Sequence, residues 1–260
     1  MGKITVITSG KGGVGKTTAA ANLGVALSKL NQKVALVDMD MGLRNLDVIL
    51  GLENRIVYDL VDVAEGVCPL TRAMIRDHHH PGLSLLPASR ARGQDAINVR
   101  QMREMTEQLA RMCDHVLVDC PAGIETGFRN AMAGAHSAVI VTVPEVSAVR
   151  DAQRVTQLLE AEEISAGVLI NRVRPMMVRR GDMMDVDEVV EILGLPIFGV
   201  VPEDSRVVRH NNFGLPIADS RGKAAESYAR MARRMRGEAI PIINPARNAG
   251  MSLLWSALGG

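Results

Sequence analysis

Along this chain, short runs of β-branched and aliphatic residues alternate with longer stretches whose apolar positions recur every three or four residues. The runs predict strands at 3–8, 33–38, 83–87, 115–119, 138–143, 167–171 and 197–200. Helical periodicity is clearest at 16–30, 99–112, 148–163, 186–193 and 221–235. Repeated strand-then-helix order predicts an α/β fold, a doubly wound, mainly parallel sheet flanked by helices, because parallel neighbours need a crossover and a helix usually supplies it. No repeat or low-complexity linker interrupts residues 1–237, which therefore read as one domain. Residues 238–250, with Pro241 and Pro245 and little periodicity, read as a linker to a separate terminal segment, 251–260.

Composition sharpens this picture. Hydrophobic residues are 47% of the 260 but aromatics only 2%, so the core must be aliphatic side chains and methionine, as suits strands covered on both faces. Lys plus Arg (30) nearly balances Asp plus Glu (29), so no global field draws the chain to nucleic acid, and no specific nucleic-acid partner is expected. Cys68, Cys113 and Cys120 are too few and too scattered for a disulfide framework or a zinc site, and are expected as reduced thiols. The sequence opens on residues 3–8 without a charged-then-apolar leader, and Val6 stands where a myristoylation signal needs Ser or Thr. No uncharged apolar run approaches the ~20 residues that span a bilayer. A cytoplasmic protein is the expectation.

The chemistry begins at Gly10-Lys11-Gly12-Gly13-Val14-Gly15-Lys16-Thr17, a P-loop pattern lying between an apolar strand and an Ala-rich helix. Its glycines allow positive φ and bring backbone N–H groups within reach of phosphate oxygens, while the helix N-terminus adds partial positive charge. Lys16 is expected on the β- and γ-phosphates and the Thr17 hydroxyl on Mg2+. Two aspartates, Asp38 and Asp40, close one aliphatic strand at i and i+2 and so point to one side, and Asp119 closes another. Strand-end carboxylates also serve as helix caps, but three beside a P-loop favour metal binding.

Lys11, directly after the first glycine, makes Lys11-Gly-Gly-Val-Gly-Lys16-Thr-Thr18 resemble the motif of the deviant Walker A ATPases. The resemblance implies that Lys11 reaches the partner's phosphates across a nucleotide-sandwich homodimer formed with ATP. It implies contacts to ATP from Lys11, Gly12, Gly13, Val14, Gly15, Lys16, Thr17 and Thr18. It makes Asp40 the residue that positions the attacking water, alongside Lys11 and Lys16 as catalytic cations. Asp38 and Asp119 would join Thr17 around Mg2+, and the 120–125 stretch resembles switch II. Asn171 resembles the adenine-recognition position, with Pro202 and Glu203 flanking the ring. Met41–Asp47, Pro121–Thr126, Pro144–Asp151, Arg180–Met183 and Gly199–Asp204 resemble the MinD branch in particular. That branch implies a role in division-site placement, with MinC-like and MinE-like partners and reversible binding to the cytoplasmic face of the inner membrane. Asn45, Glu145 and Asp151 fall where its partner surface lies. A partition ATPase of the ParA type, which binds DNA non-specifically, and a flagellar-number regulator share the same motor and stay open as alternatives.

The terminal segment gives the membrane expectation its own basis. At 100° per residue, Met251, Leu254, Trp255 and Leu258 fall on one side of a helix, with Ser252 and Ser256 opposite. Such a segment suits a bilayer interface, although it has no Lys or Arg after Arg247. Arg230, Arg233, Arg234 and Arg236 could supply attraction to anionic lipid. The run His78-His79-His80 reads as a solvated loop rather than a metal site.

Overall fold

The computed structural model describes residues 1–121, 123–124 and 126–247. Eight strands run β1 (Lys3–Thr8), β2 (Val34–Asp38), β3 (Ile75–Arg76), β4 (Leu83–Leu86), β5 (His115–Asp119), β6 (Ser137–Thr142), β7 (Ser165–Val173) and β8 (Ile197–Pro202). They form one sheet in the order β3-β4-β2-β5-β1-β6-β7-β8. Every pairing is parallel except the two-residue β3 against β4. The long helices are α1 (Lys16–Ser28), α5 (Val99–Met112), α7 (Val146–Ala161), α9 (Val186–Leu193) and α11 (Lys223–Met235). Between them lie α2 (Leu46–Ile49), α3 (Leu60–Ala64), α4 (Leu70–Ala73), α6 (Thr126–Ala131), α8 (Pro175–Arg180) and α10 (Arg206–Asn212).

The aliphatic strand runs divide by simple alternation into two cores. Ile4, Val6, Val37, Val118, Ile140 and Ile170 face one way, against Met102 and Leu109 of α5, Val155 of α7 and Val189 of α9. Ile7, Leu36, Leu117, Val139 and Leu169 face the other way, against α1 and against Tyr228 and Met231 of α11. Every expected strand and long helix is present, with ends shifted by up to two residues. The edge strand β3 and the short helices carry too few residues for their periodicity to register, and β3 is held by its neighbour β4 rather than by its own pattern.

The three-histidine run departs from expectation. His80 is buried, with its ring nitrogens 3.2 Å from Asp77 Oδ2 and 3.0 Å from Asp219 Oδ1. It therefore clasps the β3–β4 hairpin to the turn before α11, and Lys29, the C-cap of α1, joins the same Asp219 at 3.4 Å. The hydrogen bonds that the His80 ring donates to Asp219 and then Asp77 raise its pKa to about 9. The segment read as a linker is described as far as Arg247, and to that point it lies on the domain. Asn244 donates to Asp185 at 3.3 Å, Arg247 pairs with Asp187, and Ala246 is buried. The amphipathic segment 251–260 falls outside the described residues.

The clasp has a calculable pH dependence. A histidine whose folded pKa is raised stabilises fully below its unfolded value near 6.5, and that stability is lost as pH rises through about 9. Replacing His80 by Asn is expected to lower the unfolding free energy by about 1–2 kcal/mol near pH 6, from lost charge-assisted hydrogen bonds. Denaturant titrations at pH 6, 8 and 10 should show this gap closing as pH rises; a gap that is constant with pH would exclude the charged clasp.

Candidate functional site

Residues 9–15 connect β1 to α1 at the carboxyl edge of the sheet, where β1 lies between β5 and β6 and the strand order changes direction. Gly15 is the N-cap of α1 at φ 98, and no side chain caps the helix. The first-turn N–H groups of α1 thus lack a capping partner and can bind anionic oxygen. The loop is braced from two sides. A Cβ on Gly15 would stand 2.5 Å from Asn171 Nδ2, and that buried amide donates to the Val14 carbonyl at 2.8 Å. A Cβ on Gly10 would overlap the backbone of Asp151 in α7.

The loop glycines, buried Lys16, Thr17, Thr18 and Asp40 line a cavity of about 630 Å3. Lys11 is not among its lining residues. Its ammonium donates instead to the Ser147 hydroxyl at 3.2 Å, on the exposed start of α7.

Asp38 and Asp119 are register partners at the ends of β2 and β5, and both are buried. Asp38 Oδ1 accepts the Asp40 backbone N–H at 2.9 Å. Asp38 Oδ2 and both Asp119 oxygens are buried without a hydrogen-bond partner. Burial, then the Asp119 charge, holds Asp38 well above the usual carboxylate range. Burial pushes Asp119 up to about 7, although the nearby Thr17 hydroxyl and Lys16 pull it down. Burial also raises half-buried Asp40, against the pull of Lys16. Adjacent carboxylates beside a threonine hydroxyl are the hard oxygen donors that a divalent cation takes, and a cation would offset the charge that burial disfavours. Among the described residues no cluster of three or more His, Cys, Asp or Glu side chains forms a metal cage. Mg2+ itself takes few protein ligands, keeping several waters and drawing oxygens from substrate phosphates.

Some expectations are met differently from their premise. Strand β2 stops at Asp38, so Asp40 reaches the cavity through loop geometry and not through strand alternation. Pro202 and Glu203 do not line the phosphate cavity. Glu203 forms a two-bond pair with Arg174 beside a neighbouring cavity of about 600 Å3, and Pro202 lines a third cavity against α11. Arg172, which belongs with Asn171 to the stretch that resembles the adenine-recognition position, is held at φ 55 between the first two cavities. Asn211, whose amide donates to Thr18 Oγ1 at 3.1 Å, was missed by pattern reading because it lies on the short α10, which carries no pattern. Asn45 lines the phosphate cavity, Glu145 the neighbouring one, and Asp151 sits on α7 beside Arg154. Cys68 and Cys120 are buried and Cys113 half-buried, all three as free thiols, with burial pushing Cys120 up to about 12.

Comparison with known proteins agrees with this geometry. Residues 5–217 match the family described as CobQ/CobB/MinD/ParA nucleotide binding domain. The chain is 48% identical over 256 residues to the septum site-determining protein MinD of Bacillus subtilis, covering 96% of each. Its fold is similar to that of MinD in the MinC:MinD complex of Aquifex aeolicus, with TM-score 0.87, 46% identity, and coverage of 93% of this chain and 98% of the other. It is also similar to MinD of Pyrococcus horikoshii complexed with Mg-ADP, with TM-score 0.82 and 30% identity, covering 90% and 96%.

The carboxylate pair generates a stability test. A carboxyl with a raised folded pKa leaves the metal-free fold most stable below about pH 4, and stability falls as pH rises through about 7. Asp119→Asn should therefore stabilise the metal-free protein at pH 8, by up to about 4 kcal/mol for a shift of this size. Adding Mg2+ and nucleotide should raise the unfolding midpoint of the original protein much more than that of the variant. Equal stability of the two metal-free proteins at pH 8 would show that the carboxylate is not under strain.

Proposed function

The chain belongs to the CobQ/CobB/MinD/ParA nucleotide-binding family, and within it to the septum site-determining MinD proteins, and from that premise we propose that it switches between a monomer and an ATP-bound dimer on the membrane. It is a Mg2+-dependent ATPase acting in division-site placement. Among the described residues no helix is long and apolar enough to cross a membrane, so attachment falls to the amphipathic 251–260 segment, at the cytoplasmic face of the inner membrane. One short interfacial helix holds weakly. Two on one dimer gain effective concentration, so pairing alone can lengthen membrane residence by orders of magnitude. The membrane-bound dimer recruits a MinC-like inhibitor, and a MinE-like partner releases it by stimulating hydrolysis. Residues 1–237 form the motor, and 238–250 connect it to the tail.

The observation that carries the dimer is the position of Lys11. A P-loop lysine that stays out of its own phosphate cavity, exposed on Ser147, can serve a neighbouring copy. Within one chain, the glycine-loop N–H groups, Lys16 and Thr18 hold the phosphates. Thr17, Asp38 and Asp119 hold Mg2+, which neutralises the triphosphate. Asp40, which shares the cavity wall with Lys16, orients the attacking water. The partner's copy of Lys11 adds positive charge where negative charge develops. Asn171 keeps the loop in shape and presents its remaining amide valences toward the base.

Three variants separate these roles. Lys11→Ala should still bind ATP but stay monomeric, by light scattering, with hydrolysis reduced about 100-fold or more. Asp40→Ala should dimerise with ATP and hydrolyse at least about 100-fold more slowly, and so accumulate on vesicles. Removing residues 248–260 should abolish vesicle sedimentation while leaving ATP-dependent pairing intact. Vesicle binding that is equal with ADP and with a slowly hydrolysed ATP analogue would exclude control by valency.

A further inference from the structure

Behind the site, α11 turns one face toward residues 242–247. Lys223, Ser227, Arg230 and Arg234 recur on it at intervals of four, three and four. Together with Arg179 of α8 and the 242–247 segment, they enclose a cavity of about 390 Å3. Five cationic side chains line it, Arg179, Lys223, Arg230, Arg234 and Arg247, against one carboxylate, Glu226. In a chain of formal net charge +1 this is a concentrated positive field.

The cations have different commitments. Arg234 donates to the Phe198 carbonyl at 2.6 Å and the Ile240 carbonyl at 3.4 Å, which fixes its guanidinium in place. Burial, and then the neighbouring Arg230, pull its pKa down to about 10. Arg233 and Arg236 pair with Glu238, and Arg247 with Asp187. Among the described residues this leaves Arg179, Lys223 and Arg230 with neither an ion pair nor a carbonyl partner for the side chain. Of the four arginines whose sequence positions suggested lipid attraction, two thus share Glu238 as their ion-pair partner, and the cavity brings in Arg179 and Lys223.

We infer that this cavity binds a phosphate-bearing anion, and specifically the headgroup phosphate of an acidic lipid at the root of the tail. Guanidinium and ammonium groups converging on a pocket of this size match the several oxygens of one phosphate. Arg247 stands on the cavity wall, and in sequence only three residues separate it from the apolar 251–258 segment, which keeps the cavity near any surface that segment binds. Ile243, 48% exposed on the same wall, adds apolar surface to the contact. A tail without charge is a single weak signal, and a headgroup site on the body supplies the second that stable attachment needs. The inference rests on the membrane reading of the tail.

The test uses the full chain with a slowly hydrolysed ATP analogue and vesicles of phosphatidylcholine, with or without half phosphatidylglycerol. The intact protein should bind the acidic vesicles about tenfold or more tightly than the neutral ones. The double substitution Lys223→Gln, Arg230→Gln should remove that preference and keep the neutral-vesicle binding, with an unchanged melting curve as the check on folding. Lys223→Arg with Arg230→Lys should restore the preference. A Gln variant that still favours acidic vesicles overturns the cavity, whereas vesicle binding after loss of residues 248–260 overturns the tail. Glycerol 3-phosphate should compete for acidic vesicles. If it instead protects the protein against heat while vesicle binding ignores the substitutions, the site takes free phosphate and the lipid assignment fails. It fails equally if the substitutions abolish only a mobility shift on duplex DNA.

Discussion

Uncompensated negative charge at two neighbouring strand ends is the constraint on which this structure turns. Asp38 and Asp119 stand side by side in register, buried, with three of their four oxygens unpartnered. A fold tolerates such a pair only by keeping it partly protonated or by binding something there, because the desolvation cost of a lone carboxylate runs to several kcal/mol. A divalent cation with its phosphate counter-charges is the chemical answer. Lys16 and the uncapped start of α1 provide the positive walls on the other side of the same cavity.

Positioning these groups is a task for the sheet. Order β2-β5-β1 brings three strand ends together that lie far apart in sequence. The loops leaving those ends are tied to each other by the backbone. Met39 donates to the Asp119 carbonyl at 3.0 Å, Cys120 to that of Ile7 at 3.0 Å, and Gly123 to that of Ser9 at 3.4 Å. The loop after β2 is therefore tied to the end of β5, and the stretch that resembles switch II to the strand carrying the P-loop, so rearrangement of one alters bonds to the next.

Legibility in the sequence followed length and locality. The strands and long helices were readable because a buried aliphatic run or a sustained helical period is a local signal repeated over many residues. The P-loop was readable because its chemistry is contiguous. Asp38 and Asp119 could be named separately, but their adjacency depends on β5 inserting between β2 and β1, which no local pattern encodes. The contact of Asn211 with Thr18 spans 193 positions, and the clasp of His80 to Asp219 spans 139. For the same reason a tripeptide of histidines looked solvated until the fold folded one of them inward. Glu203 pairs with Arg174 from another strand end, beside a neighbouring cleft, and strand-end position alone does not reveal which of several clefts a residue enters.

The fit of Gly10 against the backbone of Asp151 joins the phosphate loop to helix α7 with no side chain between them. Main chain packed directly on main chain has no rotamers with which to absorb a displacement, so the two pieces shift as one rigid part. Even one added carbon at Gly10 would have to wedge the loop away from the helix, so the seating of the phosphate cradle on α7 hangs on the missing methyl group of one glycine.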